Sequence, residues 1–284
     1  MQKLGLVFGG GGGKGAFQIG VWQALRELCV ESAITAVAGA SAGALNGAMF
    51  ASGDLEQAIT AWQTITPGEV LTPAAIRDRG LRLPQWFPHI RAGWFSNTGL
   101  KRLIAEYVDF TKVAKGPPLT AVCTRLSTGV LPVLKLGMGR MAKALMTPEY
   151  FAVNGRPDAA SVILASAAIP FVFPQVEIQG RRYCDGGVLD NLPIKPLYKA
   201  GCRKFIVVAL EAHFHPDLQA RYPGADFVVL DYDTHSALLN TVETLDFHPE
   251  TAKRRMSAGY AQAMEAGPEL RALAGIRAKI SQAG

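Results

Sequence analysis

Five consecutive glycines, Gly9 to Gly13, followed by Lys14 and Gly15, lie between a short apolar run and an amphipathic segment. Glycine loses more conformational freedom on folding than any other residue, so five in a row at such a junction are a costly choice. What they offer is a row of backbone N–H groups unobstructed by side chains, beside the positive end of a helix dipole. The loop is suited to negative charge, either a phosphate or a transient oxyanion. Its flanks read as strand and helix. Residues 4–8 form a buried-type strand closed by glycine, and Phe17, Val21, Leu25 and Leu28 recur at helical spacing. Residues 34–38 form a second β-type run, and 44–51 are small and helix-compatible up to a stop near Gly53. Strands alternating with helices predict an α/β fold of three layers, α/β/α, around a central and mostly parallel sheet. Further strands are expected at 119–123, 130–136, 205–210 and 227–230. Helices are expected at 159–168 and from Pro249 onward, with a break at Gly267-Pro268.

Composition narrows the class. The chain has 284 residues, 49% apolar and 18% charged, which excludes intrinsic disorder. A chain this long buries about three quarters of its unfolded surface, enough for one large core. The four cysteines, at 29, 123, 184 and 202, show neither disulfide-scaffold nor metal-type spacing, and a reducing compartment is the mild inference. No apolar run approaches the roughly 18 residues of a spanning helix, and the N-terminus does not read as a secretory signal. The expectation is therefore a cytoplasmic protein. The net charge of +6 slightly favours anionic surfaces. Residues 66–118 differ in character, with six prolines and with Trp86, Phe87, Trp94 and Phe95 among Arg77, Arg79, Arg82, Arg91, Lys101 and Arg102. They read as a cap-like insertion within one domain spanning 1–284. Aromatics beside arginines suit peripheral contact with an anionic membrane, and ordinary cap packing explains them equally well. The basic stretch 251–282 reads as a packing helix.

Two phosphate readings of the glycine loop fail on inspection. Gly10, Gly12 and Gly15 match the G-x-G-x-x-G fingerprint, but five glycines satisfy many patterns. The second strand also ends in Ala38-Gly39-Ala40-Ser41, without the carboxylate that would hold a ribose. The nucleotide phosphate-loop pattern needs Gly at 8 and Ser or Thr at 15, where the chain has Phe8 and Gly15.

The oxyanion reading has a nucleophile to go with it. Gly39-Ala40-Ser41-Ala42-Gly43 is G-x-S-x-G between a β-type and a helical run, the context of a nucleophile elbow. The flanking Gly39 and Gly43 permit a sharp turn that presents the Ser41 hydroxyl, and the following helix favours developing negative charge. The base is less obvious. His89, His213, His215, His235 and His248 occupy no evident strand end. Asp185 follows a short apolar-flanked stretch and precedes Gly186-Gly187, which let the backbone turn sharply. Asp190-Asn191-Leu192-Pro193 reads better as a helix-capping turn before 194–199.

Three motifs in this order resemble those of the patatin-like phospholipases, which include the catalytic domain of cytosolic phospholipase A. They are Gly10-Gly11-Gly12-Gly13-Lys14-Gly15, Gly39-Ala40-Ser41-Ala42-Gly43 and Asp185-Gly186-Gly187. Residues 165–174 resemble the segment before that family's Asp, and 244–247 to 259–260 its C-terminal helices. The likeness covers nearly the whole chain and is weakest over 66–118. It implies a patatin-like fold and a serine esterase of phospholipase A type, acting on phospholipids or other acyl esters. By it, Ser41 is the nucleophile, Asp185 completes a Ser-Asp dyad, and the amides of Gly10, Gly11, Gly12 and Gly13 form the oxyanion hole. Gly11 and Gly12 are the expected central donors, and Lys14 takes a cationic position or serves as a solvated steadying side chain. No cofactor, metal or nucleic acid is implied. A nucleotide-binding protein using the glycine loop and a non-enzymatic lipid-binding module are the alternatives.

Overall fold

The computed structural model describes residues 2–73, 94–126, 146–211, 217–232 and 242–276. Among the described residues, eight strands form one sheet: β1 (Lys3–Phe8), β2 (Ile34–Ala40), β3 (Leu119–Leu126), β4 (Met146–Ala152), β5 (Val176–Ile178), β6 (Arg181–Asp185), β7 (Cys202–Ala209) and β8 (Asp226–Asp231). The helices of eight or more residues are α1 (Ala16–Glu27), α2 (Ala42–Ser52), α3 (Leu55–Thr64), α4 (Thr98–Tyr107), α5 (Ala159–Ser166), α6 (Pro249–Glu265) and α7 (Gly267–Ala274). The parallel strands run β3-β2-β1-β7-β8, and β4, β5 and β6 join antiparallel at the β3 end. The sheet is mixed, with the expected parallel centre.

Side chains alternate across this sheet as the strand period requires. Leu4, Leu6 and Phe8 of β1 enter the larger core with Ile206 and Val208 of β7, whereas Val7, Phe205 and Val207 face the smaller one. The larger core lies under α1, α2, α3, α5 and α6. The smaller is closed by Ile194 and Leu197 of a short helix together with Leu218 and Tyr222. α6 packs on α1 at backbone distance. A methyl group on Gly20 would strike the Met256 carbonyl, and one on Gly259 the Phe17 carbonyl.

Residues 74–93, within the cap-like segment, lie outside the described residues, and so do Trp86, Phe87, Arg77, Arg79, Arg82 and Arg91. The expected strand at 130–136 lies outside them too. Leu100, Leu103 and Ile104 of α4 are buried in the larger core, and Trp94 is 65% exposed. No described helix is long and apolar enough to cross a membrane.

The register around β3 positions the site. Along one edge of β3, β4 pairs continuously from Thr120 to Leu126. The other edge is shared. β2 pairs with residues 119–122 and ends with Ala40 opposite Val122. β6 runs the other way over residues 123–126 and ends with Asp185 opposite Cys123. The two strands therefore meet head to head, and the residues at their tips, 41 and 185, become neighbours.

Candidate active site

Ser41 follows the last residue of β2 and precedes α2, with φ 54° and ψ −126°. A non-glycine residue held in that region costs about 1–3 kcal/mol and persists only where its surroundings impose it. The surroundings here are tight. A Cβ on Gly39 would meet the carbonyl of Gly43, and one on Gly43 the carbonyls of Phe8 and Gly9. The turn tips the hydroxyl toward β6, where Ser41 Oγ donates to Asp185 Oδ2 at 2.5 Å.

Asp185 is held by its other oxygen as well, Oδ1 accepting from the Gly187 N–H at 2.7 Å. Both Ser41 and Asp185 are 5% exposed. Burial raises the Asp185 carboxyl from 3.8 to about 7; the Ser41 and Gly187 hydrogen bonds oppose the rise, and Glu211 adds slightly to it. An ordinary carboxylate is a poor base for an alcohol, whereas this one has the proton affinity of a histidine. Gly186 lets β6 end at this point, because a side chain there would run into the Val122 carbonyl.

The glycine loop approaches from β1. The carbonyls of Gly9, Gly10, Gly11 and Gly15 each accept a hydrogen bond. Gln18 Nε2 donates to Gly9 O at 2.7 Å, and Asn191 Nδ2 to Gly10 O at 3.3 Å. The Lys14 N–H donates to Gly11 O at 3.2 Å, and Asn46 Nδ2 to Gly15 O at 2.9 Å. Gln18 is fixed in turn, since Asn46 Nδ2 also donates to its Oε1 at 2.8 Å and Trp62 Nε1 to Asn46 Oδ1 at 2.9 Å. The Gly10 N–H is committed to Asn191, donating to Oδ1 at 3.1 Å. Those of Gly11 and Gly12 donate to no group among the described residues. Gly12 and Gly13 also lie under residues 244–246, because a Cβ on either would strike the carbonyl of Thr244 or Asp246. Arg255 of α6 pins that segment, donating to Asp246 O at 2.8 Å and to Glu243 O at 3.3 Å.

Two expectations about neighbouring residues change. Lys14 is fully buried rather than solvated. Burial lowers its ammonium pKa, and Glu211 and Glu243 oppose that. The short helix Ile194–Lys199 starts at an N-cap Pro193 with no side-chain cap, so Asp190 and Asn191 do not cap it. Asp190 instead accepts from the Tyr150 hydroxyl at 2.7 Å, and Asn191 clasps Gly10. His248 is the N-cap residue before α6, and the other four histidines lie outside the described residues. Among the described residues, no group of three or more His, Cys, Asp or Glu could hold a metal ion.

Ser166, the last residue of α5, was not singled out for any role by the sequence. It is fully buried; its Oγ accepts the Ser41 N–H at 3.1 Å and donates to the Val122 carbonyl at 2.7 Å. The sequence gives little cue to it, because the helix carries two serines, Ser161 and Ser166, among apolar residues.

The family model for patatin-like phospholipase matches residues 6–198, a span that contains the glycine loop, Ser41 and Asp185. An uncharacterized NTE family protein of Mycobacterium tuberculosis is 30% identical over 209 residues, which are 73% of this chain and 49% of that protein. This chain thus spans about half the length of that relative. Lysophospholipase NTE1 of Cryptococcus neoformans is 25% identical over 207 residues, 73% of this chain and 11% of that protein. The solved structure of human GIVD cytosolic phospholipase A2 shares the fold, with a TM-score of 0.58 at 10% identity over 97% of this chain and 61% of that one. Over two thirds of its length, and with an α/β architecture to match, this chain belongs to the patatin-like phospholipase family.

Proposed function

We propose that the chain is a lipid acyl hydrolase that cleaves carboxylic esters of phospholipids or related lipids through Ser41 and Asp185. The observation that carries this reading is the 2.5 Å hydrogen bond between the Ser41 hydroxyl and a buried carboxyl brought to about 7. A relative that is a lysophospholipase, and a fold neighbour that is a phospholipase A2, favour lipid esters as the substrate class.

In the reaction, Ser41 Oγ attacks the ester carbonyl carbon while its proton passes to Asp185 Oδ2. The carbonyl oxygen becomes an oxyanion that accepts from the Gly11 and Gly12 N–H groups, whose direction is set by the engaged carbonyls around them. As the tetrahedral species collapses, Asp185 returns its proton to the departing alcohol, leaving an acyl ester on Ser41. Asp185 then takes a proton from water as that water attacks the acyl carbon. The fatty acid leaves, and the proton goes back to Ser41 Oγ. One oxyanion donor of this kind is worth about 10²–10³ in rate.

A nucleotide fits the loop poorly. The Gly10 amide is already taken by Asn191, and the carbonyls of Thr244 and Asp246 lie against Gly12 and Gly13, where a phosphate would be repelled. Peripheral contact with an anionic membrane is a second part of the proposal, and Trp94, 65% exposed, is its support among the described residues. Substituting Trp94 should weaken co-sedimentation with phosphatidylglycerol vesicles, and unchanged binding would exclude that contact.

The main test is hydrolysis of a phospholipid and simple-ester panel. Wild type should release fatty acid and accept a fluorophosphonate on Ser41. Ser41→Ala and Asp185→Asn should do neither while keeping the wild-type circular dichroism spectrum. Undiminished turnover by a folded Asp185→Asn protein would refute the base assignment.

A further inference from the structure

The hydrogen bonds that hold Ser41 and Asp185 in register come from a third place in the chain. β2 and β6 end facing each other on one edge of β3, so neither strand reaches across the gap to fix the other's tip. Ladder hydrogen bonding therefore stops where the two reacting residues must be set to within a fraction of an ångström. Into this gap the chain places the C-terminal end of α5. That helix is rigidly seated, with Val162, Ile163, Leu164 and Ala165 all buried.

Ser166 has a single hydroxyl proton, and it goes to the Val122 carbonyl at 2.7 Å. The Ser41 N–H must then point at a lone pair of the same oxygen, 3.1 Å away. Two residues further on, the Ala168 carbonyl accepts the Asp185 N–H at 2.9 Å. The stretch 166–168 thus grips the main chain of both reacting residues and is itself tied to β3, the strand on which both tips are aligned. Because the Ser41 amide is spent on Ser166, it is not available to an oxyanion.

We propose that Ser166 is a positioning residue for acylation: its hydroxyl, bridging Val122 and the Ser41 amide, holds the nucleophile in the strained backbone conformation that aims Oγ at both Asp185 and the ester. This inference rests on the acyl-hydrolase reading. Removing the hydroxyl leaves the Ser41 amide and the Val122 carbonyl without their partner and lets residue 41 relax. Misplacement of a reacting atom by about 1 Å can cost around 10²-fold in rate. Substrate binding, which does not involve Ser166, should be unaffected.

The test compares wild type, Ser166→Ala and Ser166→Cys. Cysteine is close to serine in size, but its thiol is a weak donor and a weak acceptor. Active sites are titrated with a fluorophosphonate, and kcat and KM for a short-chain ester are then measured per titrated site. Both variants should lose about 10- to 100-fold in kcat and in the rate of fluorophosphonate labelling, with KM within twofold of wild type. A purely structural role would lower the thermal midpoint and the titrated fraction while leaving kcat per site intact. That result in either folded variant overturns the proposal, as does failure of both variants to fold. Absence of labelling and of turnover in the wild type would instead refute the acyl-hydrolase reading.

Discussion

Replacing Asp185 by asparagine should stabilise the protein while disabling Ser41. The carboxyl's folded value, about 7, lies above its ordinary 3.8, and burial is the leading cause. Between those two values the folded chain holds a proton that the unfolded chain has released. Stability therefore falls as the pH rises across that window and levels off above it. Each decade of proton affinity is worth about 1.4 kcal/mol, so the penalty at pH 8 is about 4 kcal/mol. Asparagine carries no charge to desolvate. Its oxygen can accept from the Gly187 N–H and its amide can donate to Ser41 Oγ, so both neighbours keep a partner. The assay is urea or thermal unfolding of both proteins from pH 4 to pH 8. A gain of about 4 kcal/mol corresponds to roughly 8 °C in a chain of this size. The variant's advantage should be full at pH 8 and shrink toward zero near pH 4. A pH-independent difference, or a variant less stable than wild type at pH 8, would refute the reasoning.

The same carboxyl should govern the rate profile. Turnover and fluorophosphonate labelling should rise with pH through about 7 and plateau above it, since only the ionised Asp185 can accept the Ser41 proton; a half-rise near pH 4 would contradict burial as the controlling influence. Gln18→Leu should cost about 2–4 kcal/mol in urea unfolding, because it orphans the Gly9 carbonyl and removes a partner of Asn46; a neutral result would mean the buried chain from Trp62 to Gly9 is not under tension. Gly186→Ala should destabilise and inactivate together, because its methyl would drive the Val122 carbonyl and the tip of β6 apart; a stable, active variant would contradict the head-to-head arrangement.

Much of the centre of this fold is legible from composition and spacing. Residues 4–8 of β1, 36–40 of β2 and 205–209 of β7 are unbroken runs of apolar residues and glycine because both of their faces are covered, and Phe17, Val21 and Leu25 are buried along α1 as their spacing requires. Ser41 and Asp185 are marked in the sequence by flanking glycines, of which Gly39, Gly43 and Gly186 answer a backbone clash and Gly187 the close approach of the Asn191 side chain. The antiparallel end is another matter. β4 carries Pro148 and Glu149, and β6 begins Arg181-Arg182, because those strands are partly exposed and lack an apolar signature. The supporting polar residues are hidden for the opposite reason. Gln18, Asn46 and Ser166 sit on helices whose neighbours are apolar, and only the three-dimensional approach of Gly9, Gly15 and Val122 gives them partners. Lys14 shows the limit most clearly, because a lysine beside glycines reads as solvated until the packing of α6 and residues 242–246 covers it.

β3 contributes no side chain to the proposed chemistry, yet consecutive residues of it, Val122 and Cys123, face the strands that deliver the serine and the acid. It works as a ruler. A two-residue slip of either neighbour along it would separate the pair by nearly 7 Å, enough to abolish contact. Between the two strands, by contrast, turns that touch neither β3 nor residues 166–168 can lengthen or shorten without moving either reacting atom. Tolerance to insertion should accordingly track distance from this strand in space rather than from Ser41 or Asp185 in sequence.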